Sequence, residues 1–206
     1  MTAQEEQDVI QRVLAGDTDA FELLVRAHEK LVYNLALRML HNEQDALDAS
    51  QEAFFRAYRG LSSFRGDSKF SVWLYRLTSN VCLDMLRRQG RTETVSLTPE
   101  EGEERSLPDD RFDPERELEK KELRRAVREG LQSLDPAFRE ALVLREINGL
   151  SYEEIGQVMD LEPGTVKSRI FRARRKLASY LAANGNFSGA GPSKGTGKGG
   201  AVHEKL

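Results

Sequence analysis

SYEEIGQVMDLEPGTVKSRIFRARRKLASYL, from Ser151 to Leu181, reads as one helix, a tight turn and a second helix. Ser151 followed by Glu153 and Glu154 is a helix start: a hydroxyl to satisfy free N–H groups and acids at the positive end of the dipole. Leu161-Glu162-Pro163-Gly164 predicts the break, since proline disfavours a helical residue before it and glycine frees the backbone. Thr165 then caps or opens a helix whose apolar residues, Val166, Ile170, Ala173, Leu177 and Leu181, recur at helical spacing. That stripe faces a core. The remaining positions carry Lys167, Ser168, Arg169, Phe171, Arg172, Arg174, Arg175 and Lys176, with no acid among them. A helix buried on one side and cationic on the other suits phosphates and base edges, and the pair predicts a helix-turn-helix at about residues 152–171.

The whole-chain charge hides this. The 206 residues carry a net charge of only −3, because cations gather at Lys167–Lys176 and at Arg87, Arg88 and Arg91 while acids gather mid-chain. Segregation matters here, and the average does not. One cysteine, Cys82, excludes an internal disulfide and a cysteine-cluster zinc site, and its apolar helical context predicts a small buried filler. The three histidines, His28, His41 and His203, have no ligand-like spacing, so neither metal nor cofactor is expected. The acidic N-terminus lacks a signal peptide's apolar stretch, and no run has the length of a membrane helix. A cytoplasmic protein without membrane insertion is expected.

Outward from the motif, the pattern is all-α: two small helical domains joined by a flexible acidic linker. Residues 1–91 keep a 3.6-residue period, predicting helices through Asp19–Leu40, from about Asp45 to Leu61 and from about Phe70 to Gln89, with a break at His41-Asn42. Periodicity vanishes over residues 92–113, where Pro99, Pro108 and Gly102 accompany eight acids, Glu93 to Asp113, against Arg105 and Arg111. Helices resume for residues 114–183; Asp135-Pro136 opens one through Phe138–Ile147, which Asn148-Gly149 ends. Residues 184–206, rich in Gly, Ser and Lys, predict a disordered tail.

Two further surfaces stand out. On the Asp45–Leu61 helix, the pattern assigns Leu47, Ser50, Ala53, Phe54, Ala57, Tyr58 and Leu61 to the core. The opposite face holds Asp48, Gln51, Glu52, Phe55 and Arg59, either a protein-docking surface with one apolar anchor or a face whose Phe55 packs under a loop. On the Phe70–Gln89 helix, Phe70, Leu74, Leu77, Val81 and Met85 form the core stripe. Beside it run Trp73, Arg76, Asn80 and Arg87, preceded by Phe64-Arg65-Gly66-Asp67. Aromatic rings with hydrogen-bond donors suit unstacked bases, although a buried tryptophan with incidental polar neighbours has the same spacing.

DALDASQEAFFRAYRGLSSFRGDSKFSVWLYRLTSNVCLDMLRRQGR, residues 45–91, closely resembles region 2 of bacterial RNA polymerase sigma factors. LQSLDPAFREALVLREINGLSYEEIGQVMDLEPGTVKSRIFRARRKL, residues 131–177, resembles their region 4. The short linker, with nothing like region 3, places the resemblance in the extracytoplasmic-function subfamily of the sigma-70 family, near its envelope-stress group. The Gly-rich tail departs from the family's compact pattern. The resemblance implies a non-enzymatic factor that binds core RNA polymerase, directs it to promoter DNA and promotes melting, controlled by an anti-sigma factor. It implies that Asp48, Gln51, Glu52 and Phe55 dock on the clamp helices of the largest polymerase subunit. It also implies that Phe64, Arg65, Asp67, Lys69, Trp73, Arg76 and Asn80 open the −10 element and capture a flipped base. Arg87, Arg88 and Arg91 would hold the adjoining duplex; Lys167, Ser168, Phe171 and Arg172, flanking Arg169, would read the −35 element.

Two rival readings share parts of this chain. A stand-alone helix-turn-helix regulator would need a sensor pocket in the N-terminal half. GPSKGTGKGG, residues 191–200, has Pro192 where a phosphate loop needs its first glycine and Gly199 where it needs Ser or Thr. Without a strand before it, that segment carries no catalytic reading.

Overall fold

Local capping sets where the helices begin and end. The structure is a computed structural model that describes residues 1–92 and 114–184, and side chains within 1–90 and 121–184. All described regular structure is helical: α1 (Ala3–Leu14), α2 (Phe21–Leu40), α3 (Glu43–Gly60), α4 (Phe70–Thr92), α5 (Pro114–Gln132), α6 (Pro136–Glu146), α7 (Tyr152–Met159) and α8 (Pro163–Asn184), with short 3₁₀ turns at Thr18–Ala20 and Leu61–Ser63. The acidic linker and the Gly-rich tail, on which two of the sequence expectations fall, lie outside the described residues.

The N-terminal domain is built from α1 to α4. Thr2 and Glu5 form a reciprocal capping box that starts α1, a helix the sequence pattern did not single out. His41 ends α2 in the left-handed region, φ 59°, at the expected break, and the Asn42 side chain accepts from Asp45 N at 2.9 Å to start α3. The core face of α3 differs from the sequence expectation. Ala46, Ala49, Ala53 and Ala57 are fully buried, whereas Leu47 and Tyr58 are 47% and 41% exposed. Small side chains let α3 pack closely on α2 and α4, and the larger residues rotate outward.

α4 divides into three longitudinal faces. Phe70, Leu74 and Val81 enter the N-terminal core, with Leu77 and Met85 half-buried at its margin. Arg76, Asn80 and Arg87 lie exposed on a second face. The third, carrying Tyr75, Ser79 and Cys82, is buried although it points away from the centre of that core. The C-terminal domain covers it: α7 and α6 pack on α4, and α6 also packs on α2.

In the C-terminal domain, Asp135 caps α6 through Ala137 N at 3.2 Å, with Pro136 in its first turn as expected. Ser151 and Glu154 form a second capping box, which starts α7. The turn of the helix-turn-helix, however, lies earlier than the sequence suggests. α7 stops at Asp160 (φ 55°), and Leu161 N bonds back to Gly156 O at 2.9 Å. Pro163 and Gly164 begin α8 rather than break α7, and Thr165 N and Val166 N both donate to Glu162 O. Proline suits that first turn because its missing N–H has no intrahelical partner there. Gly156 is required by contact: a Cβ would sit 2.6 Å from Leu161 O. Val166, Ile170 and Ala173 seat α8 on the core, each 1% exposed or less. Burying the valine and the isoleucine contributes about 1.5–3 kcal/mol apiece.

Candidate nucleic-acid and polymerase interfaces

The buried stripe of α8 fixes what its other side presents. Lys167, Ser168 and Arg172 are exposed, and Phe171 is 59% exposed. Ser168 Oγ donates to Thr165 O at 2.9 Å, tying it to the first turn. The Arg175 guanidinium lies 5.9 Å from the Phe171 ring centroid, holding the ring among cations instead of in a core. Arg169 is half-buried, turned toward α6. Beside Arg172, an open groove is lined by Arg175, Lys176, Ser133, Ser179 and Tyr180, with Lys176 Nζ 4.5 Å from the Phe138 ring.

At the start of α4 three aromatics form a cluster. Ring centroids of Phe64 and Trp73 are 5.2 Å apart, and each lies 5.5 Å from the buried Phe70. Phe64 and Trp73 are both half-buried, anchored on one edge and open on the other. Arg65, Asp67, Lys69, Arg76 and Asn80 surround them and are exposed. Arg87 and Arg88 continue the exposed side toward the C-terminus of α4, Arg87 being 3.4 Å from Asp84. The side chain of Arg91 lies outside the described residues.

On α3, Asp48 and Gln51 are exposed and Glu52 is half-buried, bonded to Arg56 at 2.7 Å. Phe55 is 54% exposed, with Arg59 at 5.5 Å from its centroid, so it does not pack under a loop. Leu47, Gln51, Phe55 and Tyr58 form one outward stripe, larger and more apolar than the sequence reading gave. The missed signal was the run of alanines at 46, 49, 53 and 57, whose spacing marks the buried side.

The sequence reading also missed the polar groups between the domains. Glu140 of α6 is 3% exposed, and burial pushes its carboxyl up to about 7; nearby Ser79 and the Arg169 charge oppose that rise. The Ser79 side chain faces it across the contact between α4 and α6. Burial, reinforced by Arg139, Arg128 and Arg38, pushes His41 down to about 3. Burial, then the Glu140 charge, pushes the Cys82 thiol up to about 12, consistent with an inert filler. Asn148 Nδ2 donates to Tyr75 Oη at 3.0 Å, and Lys69 Nζ donates to Glu154 at 2.8 Å. Among the described residues no group of His, Cys, Asp and Glu could hold a metal ion, and no helix is long and apolar enough to cross a membrane.

Two family models match the chain: Sigma-70 region 2 over residues 24–92, and Sigma-70, region 4 over residues 124–177. The RNA polymerase sigma-H factor of Pseudomonas aeruginosa is 42% identical over 88% of this chain and 96% of its own length. The ECF RNA polymerase sigma-E factor of Escherichia coli K12 is also 42% identical, over 84% of this chain and 92% of that protein. The chain therefore belongs to the sigma-70 family, in its extracytoplasmic-function group. Among solved structures, CnrH in complex with the cytosolic domain of CnrY superposes with a TM-score of 0.61 at 28% identity, covering 85% of this chain and 96% of that one. The sigma factor RpoE in complex with the anti-sigma factor NepR, from Bartonella quintana, shares the fold: TM-score 0.62, 22% identity, 80% and 98% coverage.

Proposed function

We propose that this chain is a sigma factor that binds core RNA polymerase, directs it to promoters by reading −35 and −10 elements, and promotes melting under the control of an anti-sigma factor. The observation that carries the reading is the pairing, in one chain, of a one-sided cationic recognition helix with a separate half-open aromatic cluster flanked by donors. An intact-duplex reader needs only the first; strand opening needs the second. A stand-alone regulator leaves the aromatic cluster and the outward stripe of α3 without a task.

In this reading residues 1–91 carry polymerase docking and −10 recognition, and residues 114–183 carry −35 recognition. Asp48, Gln51, Glu52 and Phe55 contact the clamp helices. Lys167, Ser168, Arg169, Phe171 and Arg172 meet the major groove, and Arg87, Arg88 and Arg91 hold duplex phosphates. Action on polymerase and chromosome places the protein in the cytoplasm. The test is run-off transcription with core polymerase on a genomic promoter library. Transcripts from promoters sharing two spaced elements are expected; none with active core would refute the reading.

Arg172→Ala is expected to weaken transcription mainly through the −35 element, since a lost arginine–base contact costs about 1–3 kcal/mol of discrimination. Competition between promoters of altered −35 sequence measures it. A uniform loss on every −35 sequence would make Arg172 a phosphate contact, which positions without specifying.

Trp73→Ala and Asn80→Ala are expected to damage strand opening more than initial binding, because unstacked bases meet these side chains only once the duplex has parted. A premelted −10 bubble should restore most of the opening defect. Equal failure in closed-complex formation at low temperature would mark Trp73 as packing for Phe64 and Phe70 alone.

A further inference from the structure

No residue of α1 belongs to the outward stripe of α3, the aromatic cluster or the recognition helix, yet α1 reaches the aromatic cluster by two routes. Val9, Ile10 and Val13 bury its apolar stripe. Glu6 lies on the same side, one turn before Ile10, and is half-buried where Glu5 and Asp8 are exposed. A carboxylate at such an edge costs stability unless it is bonded. Its partner is His28 of α2, whose Nε2–H donates to Glu6 Oε1 at 2.8 Å. The two side chains are only 19% and 12% exposed, which separates this pair from the solvated surface pairs that contribute little.

The bond fixes a ring. A free imidazole turns readily about its last torsion, which is broad and roughly two-fold. Tethered at Nε2, His28 keeps one edge toward α1 and packs against Phe70, with ring centroids 5.4 Å apart. Phe70 is 1% exposed and touches both Phe64 and Trp73. Those two rings are half-open, so their orientation is set from the inner side, where Phe70 lies. The second route runs through the backbone. α1 packs on the Leu61–Ser63 turn, and Phe64 N donates to Leu61 O at 3.1 Å. A helix that meets no base thus stands behind both rings of the cluster.

We infer that Glu6 and His28 are positioning residues for promoter opening: the bonded pair, acting through Phe70, sets the angle at which Phe64 and Trp73 receive unstacked bases. Their part in opening rests on the sigma-factor reading above; the coupling of the pair to the Trp73 ring stands on the packing alone.

Trp73 is the chain's single tryptophan, so its emission reads the ring without a label. The experiment pairs acrylamide quenching of that emission in the full-length protein with open-complex formation by core polymerase, on a fully paired promoter and on one with a premelted −10 bubble. Glu6→Ala and His28→Phe both remove the bond, and the second keeps an aromatic ring against Phe70. Each is expected to change the quenching and to slow opening of the paired promoter about two- to tenfold, the effect of one hydrogen bond, with most of the deficit gone on the bubble. The double variant should be no slower than either single one, because both delete the same contact. Glu6→Gln keeps an acceptor oxygen and should stay near the parent. Quenching equal to the parent's in both single variants overturns the coupling, whatever transcription does. Altered quenching with parental opening rates overturns the role in opening. Equal slowing on paired and premelted templates, with a lowered urea midpoint and no recovery in Glu6→Gln, reduces the pair to packing and also overturns that role. Altered quenching while even the parent supports no transcription with active core refutes the sigma-factor reading and leaves the coupling standing.

Discussion

Arg139→Met is expected to lower the free energy of unfolding of the C-terminal domain by on the order of 1–3 kcal/mol for each buried carbonyl it leaves without a donor. The guanidinium is 6% exposed and has no carboxylate bonded to it. Instead it donates to Leu131 O at 2.9 Å, Gln132 O at 2.8 Å, Leu134 O at 3.2 Å and Met39 O. Met39 O, Leu131 O and Gln132 O lie in the last turns of α2 and α5, where intrahelical donors run out, and Leu134 O lies in the loop after α5; Leu131 O also accepts from Leu134 N at 3.2 Å. One planar fork therefore terminates two helices and joins the two domains. Methionine fills a similar volume but takes the side-chain donor from the Met39, Gln132 and Leu134 carbonyls, while Leu131 O keeps only Leu134 N. Arg139→Lys should recover only part of the loss, because a point cation cannot serve several divergent acceptors. Urea unfolding followed by helical circular dichroism measures both. A cost below about 1 kcal/mol for methionine would mean that water reaches the helix ends and the arginine is dispensable.

Arg139 also shows where sequence reasoning stops. The helix-turn-helix was legible because periodicity, capping residues and charge sign agreed over one short span. The His41 break and the Asp135 cap were legible because each is a local backbone decision. The α3 face was misassigned because size was taken as burial. Its alanines pack closest, and Leu47 and Tyr58, though large and apolar, stand outward beside Phe55. The turn before α8 was displaced because proline can end one helix or start the next, and only the Glu162 carbonyl accepting from Thr165 and Val166 decides between them. Nothing in the order of residues marks Arg139, Glu140 or His41 as special. Their environment is created by a contact between segments on the order of a hundred residues apart. For the candidate interfaces, the residue types and their faces were readable; that Phe64 and Trp73 are each half-held by Phe70 was not.

Glu140 and His41 titrate in opposite senses, and the packed molecule is expected to conceal both. Folded Glu140 sits near 7 against an ordinary 4.5. A raised carboxyl destabilises the folded form: the penalty is absent below about 4.5, grows as pH rises, and is complete above about 7. Folded His41 sits near 3 against an ordinary 6.5. Its penalty is absent above about 6.5, grows as pH falls, and is complete only below about 3. Between those ordinary values each contributes at most about 1.4 kcal/mol per pH unit, with opposite signs, so their sum is nearly flat. Glu140→Gln should leave the histidine slope exposed, so that stability relative to the parent rises with pH from about 4.5 to 6.5. His41→Asn, chosen because asparagine tolerates the left-handed backbone there, should leave the carboxyl slope and fall over the same range. Urea unfolding at matched pH values compares each variant with the parent, so that carboxylates such as Glu154, held low first by its hydrogen bond with Lys69, cancel. The charges facing the pair do not change sign in this window: Arg38, Arg128 and Arg139 beside the histidine, and Arg169 beside the carboxyl, stay cationic. Cys82, pushed up to about 12, stays protonated. Slopes parallel to the parent in both variants would show that water already reaches these groups, and the contact between the domains would then be looser than its buried residues indicate.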